Sequence, residues 1–283
     1  MALSKTIRRS GRRIFNDLAL GGGFDALAAS WNPEFDYQFR GADANAGLVN
    51  DGSEDSSAND FVVQFSQAPD LFQQTNGDVV NPGFCTHHTD ADGYGPPVQL
   101  YVPGTEWDMT SGSIVAIFRS DVDSPNREAL FAMAAQSGFG IALFVDAAGH
   151  LEFFCKLTSN SGGELNIDSG GNQTVISNDD TWHIVVITQD GGAANNPLMY
   201  LDGVIEDSSG GSFDSNDDRE YWFKTILDSI PSVRTAFGAI VGGADPGTSL
   251  TQGFDGNIDR IIFMTKELSA SEVLSMYNIY FGL

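Results

Sequence analysis

TWHIVVITQDGGAANNPLMYLDGVI, residues Thr181 to Ile205, decides the fold. Trp182 to Thr188 is rich in β-branched and aromatic residues, and Leu198 to Leu201 is so to a lesser degree, which predicts two strands. Asp202-Gly203 supplies the two positive-φ positions that a two-residue type I′ turn demands, with Val204 and Ile205 opening the return strand. A β-hairpin is expected here.

Working outward, Gly253 to Tyr280 reads GFDGNIDRIIFMTKELSASEVLSMYNIY. Phe254, Ile258 and Ile262 are apolar around Gly256, which admits close backbone approach. Ser269 and Glu272 form a capping box for a short helix, with Leu268 and Val273 at the staple positions. Upstream, Gln99 to Val102, Ile114 to Phe118, Ala129 to Ala135 and Gly140 to Val145 read as core strands. Asp146 to Gly149 is a four-residue hairpin loop with Gly where αL is favoured.

These segments carry a resemblance. The Trp-His strand, the Tyr-x-Asp-Gly-Val turn and the F-x-G-x-I-D strand before L-S-A-x-E-V are similar to the laminin G-like branch of the concanavalin A-like sandwiches. Gly112 to Arg119, GSIVAIFR, resembles that family's early core strand, and Gly138 to Leu157 its central hairpin. The resemblance covers roughly Gln99 to Asn278 and implies an all-β jelly-roll sandwich with one or two short helices. It also implies binding of carbohydrate or protein through the rim or concave face, often with calcium.

A chain of 283 residues can bury about three quarters of its unfolded surface, and no composition break splits its middle. The expected organisation is an arm with a glycine joint over residues 1–30 and a sandwich over 31–283. The net charge of −24 is unevenly placed, since Lys5, Arg8, Arg9, Arg12 and Arg13 all precede the first acid, Asp17. The remaining 9 basic residues face 38 acidic ones, a balance of −29. Such a body repels phosphate backbones and anionic lipid, which excludes nucleic-acid and membrane binding by the sandwich itself.

The five cations fall at steps of three and four, and they are expected to anchor the chain to an acidic partner, with Gly21 to Gly23 as a flexible joint. A solvated tail is the alternative. Arg12-Arg13-Ile14-Phe15 resembles a twin-arginine export signal, but Asp17, Asp25 and the glycine run interrupt its apolar segment, so the arm is read as retained.

Cys85 and Cys155 are too few for a disulfide scaffold; Cys155 alternates with Leu151, Phe153 and Leu157 and is expected in the core, while a bridge to Cys85 stays open. Trp31 to Phe39 reads as a first strand. Its Glu34-Phe35-Asp36 resembles the opening of the E-x-D-x-x-E motif of laminarinase-like glycosidases, but Phe39 stands where the third acid is required. In Cys85 to Gly95, Asp90 and Asp92 are candidate calcium ligands and His87 and His88 candidates for a softer ion; a solvated turn is the alternative. Asp214, Asn216 and Asp218 imitate an EF-hand start, yet Arg219 replaces the required Gly and Thr225 the closing Glu.

REYWFKTILDSI places Trp222, Phe223, Ile226, Leu227 and Ile230 on one helical face, stopped by Pro231. That helix either covers the sheet or offers Tyr221 and Trp222 to a neighbouring subunit. His150 is expected as an exposed strand residue, and the resemblance implies a structural role for His183.

No nucleotide loop, nucleophile elbow, zinc pattern or paired acid set occurs, so a binding or structural module is expected rather than an enzyme. Modules of the resembled kind act outside cells, and a retained arm fits a virion protein, made in a host cytoplasm and exposed on lysis. The expected function is a non-catalytic virion structural or adhesion protein, a bacteriophage head decoration or fibre component. It would form homo-oligomers, join other virion proteins through the arm and display the sandwich to a surface glycan. The alternative is a secreted carbohydrate-binding or glycan-active protein of a marine microbe.

Overall fold

The computed structural model describes residues 23–38, 86–88, 98–102, 107–120, 128–134, 140–156, 164–168, 176, 181–191, 197–206, 222–227, 233–238, 240–242, 249–251, 254 and 256–283. The anchoring candidates Lys5, Arg8, Arg9, Arg12 and Arg13, together with Cys85, Asp90, Asp92 and Tyr221, lie outside them. So does a strand suggested by the apolar run Phe61 to Phe65.

Fifteen strands and three helices follow one another among the described residues. Helix α1 (Gly23–Ser30) precedes β1 (Phe35–Gln38), β2 (Thr86–His88), β3 (Val98–Val102), β4 (Gly112–Ser120), β5 (Glu128–Ala134), β6 (Gly140–Val145) and β7 (Leu151–Lys156). Next come β8 (Glu164–Asp168), β9 (Trp182–Gln189), β10 (Leu198–Leu201), β11 (Val204–Ile205) and helix α2 (Phe223–Leu227). The chain closes with β12 (Val233–Phe237), β13 (Ile240–Gly242), β14 (Ser249–Thr251), β15 (Gly256–Met264) and helix α3 (Ala270–Phe281).

Two antiparallel sheets pack face to face, one ordered β1-β15-β4-β9-β10-β11 with β2 also on β15, the other β3-β12-β5-β6-β7-β8. The alternation of a strand puts Ile114, Ala116 and Phe118 of β4 between the sheets with Val185, Ile187, Ile261 and Phe263. Leu130, Met133, Ile141, Leu143, Leu151, Phe153 and Cys155 of the second sheet meet them. The sandwich expected from the sequence is therefore present, and Cys155 is a buried core thiol whose pKa burial pushes well up.

The opposite face of the seven-stranded sheet is buried as well. Val115, Ile117, Ile184, Val186, Tyr200 and Ile262 pack beneath Phe24 and Ala28 of α1 and Val273, Met276 and Tyr280 of α3. This explains why all nine residues of β4 are buried and why GSIVAIFR and WHIVVIT are nearly continuous apolar runs. Among the described residues, no helix is long and apolar enough to cross a membrane.

Two corrections to the sequence reading follow. Residues 23–30 were assigned to the arm, but they form α1, which is built into the second core through fully buried Phe24, and the ring of Phe24 lies 5.2 Å from that of Tyr280. The first strand starts at Phe35 rather than Trp31, whose indole joins the helix-covered core instead. The predicted helix after residue 218 is described only over Phe223–Leu227. There Trp222 is fully buried, 5.8 Å from the ring of Phe153 and 5.2 Å from Phe223, so it fills the sandwich core and cannot contact a neighbouring subunit.

Candidate functional site

The hairpin that decides the fold also shapes one rim of the sandwich. Asp202 and Gly203 take φ values of 52° and 82°, as a type I′ turn requires. Asp202 then fixes the turn against β9: its Oδ1 accepts the Ile184 N–H at 2.9 Å, its own N–H donates to the Ile184 carbonyl at 2.9 Å, and its Oδ2 lies 2.8 Å from His183 Nδ1. His183 is buried beside Phe118, ring centres 5.9 Å apart, in the structural role expected for it. The turn is thereby held at the end of β9 where Trp182 begins the strand.

Register carries that rim across the sheet. Trp182 pairs with Arg119, Arg119 with Asn257, and Asn257 with His87, so four strands contribute one row. Trp182 and Arg119, directly paired, share a face, the one on which Val115 and Ile117 meet the helices. Gly256 permits the close approach of β15 to β4, because a Cβ there would lie 2.1 Å from the Arg119 carbonyl oxygen. Arg119 is buried and Trp182 is half-buried against the helix-covered core. A half-buried indole is chemistry suited to sugars, whose C–H faces stack on aromatic rings and whose hydroxyls accept from the indole N–H. Sequence reading took Arg119 and Trp182 only as strand residues; the one available signal was an arginine closing an apolar run.

The other candidates resolve into structural roles. Asp36 presents both carboxylate oxygens to Arg260, one at 2.7 Å from Nε, while Asp25 Oδ1 lies 2.5 Å from Nη1 and the guanidinium sits 5.2 Å from the centre of the Phe24 ring. Glu34 accepts from the Thr265 N–H at 2.8 Å and hydroxyl at 3.0 Å. The acids that resemble a glycosidase opening, Glu34 and Asp36, thus tie the start of β1 to β15 and to Thr265 just after it, while Asp25 ties α1 to the same strand. His150, expected as an exposed strand residue, instead ends the β6–β7 turn, where its N–H donates to Asp146 Oδ1 at 2.8 Å and its Nδ1 lies 3.4 Å from Oδ2. His87 and His88 belong to strand β2, which pairs with β15. Among the described residues, no three His, Cys, Asp or Glu side chains converge to hold a metal.

The start of α3 lies on the same face. Ser269 and Glu272 form the expected capping box, Lys266 pairs with Glu272, and the Leu268 N–H donates to Ser113 Oγ of β4 at 2.9 Å. Hydrogen bonds from Lys266 and Ser269 hold the Glu272 carboxyl down at about 2. Burial and, behind it, the Glu267 carboxylate raise the Tyr200 phenol.

The comparisons with known proteins agree with this architecture. No curated protein matches the chain in sequence. A structure of botulinum neurotoxin type C, described by its interaction with two ganglioside molecules, superposes with a TM-score of 0.51 at 14% identity, over 89% of this chain and 52% of that one. The carbohydrate-binding module CBM40 of the Ruminococcus gnavus IT-sialidase, bound to α2,3-sialyllactose, gives 0.44 at 12% identity over 60% and 84%. The leech intramolecular trans-sialidase gives 0.42 at 17% identity over 60% and 24%. At these identities the likeness is one of fold. Residues 92–274 match the model of the laminin G-like family described as the concanavalin A-like lectin/glucanases superfamily, and to that superfamily this chain belongs.

Proposed function

We propose that the chain is a non-catalytic, lectin-like recognition module that binds a glycan at the rim formed by Trp182 and Arg119. The observation that carries this reading is the register across β2, β15, β4 and β9, which pairs the half-buried Trp182 with Arg119 on a face otherwise closed by α1 and α3. The half-buried indole supplies apolar contact and one directional N–H donor, the combination that small polar ligands require. The non-catalytic reading is supported by Glu34 and Asp36, whose carboxylates hold Thr265 and Arg260. Incubation with laminarin should release no reducing sugar.

The test is a glycan panel that includes sialylated oligosaccharides and gangliosides, with affinity measured calorimetrically. Trp182→Ala should weaken binding by about tenfold or more while leaving the protein folded. Equal affinity in a folded Trp182→Ala protein rejects the rim as the site.

In the same proposal, the arm bearing Lys5, Arg8, Arg9, Arg12 and Arg13 fastens the domain to a larger assembly such as a virion, with the rim facing outward. What supports this is the separation of charge between that arm and the acidic remainder. Calcium at Asp90 and Asp92 completes the reading. A ligand of the native state raises the unfolding midpoint, so added calcium should raise it and Asp90→Ala with Asp92→Ala should abolish the increase.

A further inference from the structure

Four of the five exposed large apolar residues among those described fall on β10, β11 or α3's outer surface: Leu198, Val204, Ile205 and Leu274. Leu198 and Ile205 share the helix-covered face with Tyr200, where Leu274 joins them from α3, while Val204 pairs with Leu201 and lies on the opposite face at the same edge. A Cβ at Gly203 would lie 3.1 Å from Leu274 Cδ1 and 3.2 Å from Tyr277 Cβ, so the turn before Val204 is pressed against α3. Ile205 pairs with Tyr200, and β11 is the terminal strand of the sheet order, with no strand on its other side among the described residues. Val204 and Ile205 are 63% and 53% exposed, well above what a sheet residue shows when another element covers it.

The surroundings carry negative charge. Asp202 and Glu206 bracket β11, and Glu267 is near enough to Tyr200 to act on its phenol. Lys266, the cation at this end of α3, is paired with Glu272. An apolar patch with an acidic border is complementary to a segment in which apolar and basic residues alternate. Residues 3–15, LSKTIRRSGRRIF, are such a segment, with Leu3, Ile7, Ile14 and Phe15 among five cations. A second acidic sandwich, by contrast, would be repelled from the same edge.

We infer that the β11–α3 edge is the socket for the basic arm, residues 3–15, of a second copy of this chain. This rests on the anchoring role proposed for the arm and names its receptor. The 22 residues before Gly23 leave α1 beside Tyr280, and at about 3.3 Å per extended residue they span far beyond one domain edge. Each arm brings positive charge to a body that repels its neighbours, so association through arms relieves the repulsion. It weakens with salt, because screening acts over about 8 Å at physiological ionic strength.

The experiment uses three full-length proteins: the unchanged chain, an arm variant (Arg8→Glu, Arg9→Glu, Arg12→Glu, Arg13→Glu) and a socket variant (Ile205→Lys, Leu274→Lys). Sedimentation velocity should show the unchanged chain associating in low salt, and each variant alone weakened by about tenfold or more. Mixing the two variants should restore mass above one chain, because the intact arm of one meets the intact socket of the other. A monomeric unchanged chain, or a mixture that stays monomeric, overturns the inference; the latter outcome means the arm seats on its own domain. If only the arm variant loses association, the arm anchors elsewhere and the socket is wrong while the anchoring role survives. Thermal melts matching the unchanged chain exclude misfolding of the exposed-site variants, and glycan binding by all three proteins tests the rim separately.

Discussion

The helical layer over the seven-stranded sheet is fastened in opposite ways at its two edges. At the β1–β15 edge, Arg260 is 1% exposed, held by Asp25 and Asp36 and stacked on Phe24, while Tyr280 donates to Asp259 at 2.9 Å. At the β10–β11 edge the contact is a glycine turn against α3, and Val204, Ile205 and Leu274 face solvent. A buried charge must be paired within the chain, so the first edge is closed by its own residues. Exposed apolar side chains carry no such requirement, and the second edge is left available to a partner.

The largest expected effect tests the closed edge. Arg260→Ala leaves Asp36 buried without its guanidinium and should lower unfolding free energy by about 3–5 kcal/mol in urea melts. Replacing Arg260 and Asp36 together by apolar residues of similar volume should recover much of that loss. If Arg260→Ala alone changes stability by less than about 1 kcal/mol, the ion cluster does not hold α1 and the contrast between the edges fails.

Gly203→Ala is expected to have a smaller effect at the open edge. The residue has a φ of 82° and its new methyl would meet Leu274 and Tyr277, for a cost of about 1–3 kcal/mol read from the same melts. A loss near zero would show that the turn can move away from α3, and would make the edge looser than its geometry implies.

The smallest effect sits between them, at the start of α3. Ser269→Ala removes the cap and should cost about 1 kcal/mol. The pH dependence follows from Glu272, whose carboxyl falls from 4.5 to about 2 on folding. A depressed carboxyl stabilises the folded state above its unfolded pKa, and the contribution is lost as pH falls from 4.5 through about 2. Glu272→Gln should therefore lower the melting midpoint at pH 7, and the difference from the unchanged chain should shrink steadily below pH 4.5. A difference independent of pH would assign the effect to packing rather than to the charge.

Local chemistry made much of the fold legible. Asp202-Gly203 and the Ser269/Glu272 box are decided within a few residues, by tolerance of positive φ and by side-chain reach to free N–H groups, and both formed as read. Cys155 likewise followed from strand alternation, and the structural role of His183 from the family resemblance. For Trp222 the aromatic stripe favoured a core and left a partner interface open, and the packing of Phe153 and Phe223 around it decided for the core.

What the sequence by itself determined about this protein is a set of strands, one hairpin and one capped helix, whose joint order carries the superfamily. What only the tertiary structure decided is which of them meet. The attachment of α1 depends on Arg260, 235 residues from Asp25, and the rim depends on a register that brings His87, Asn257, Arg119 and Trp182 from four strands into one row. The physical reason is that short-range rules act through backbone torsion and neighbouring donors. Burial of a charge and alignment of a row are instead satisfied by partners that sequence distance does not reveal.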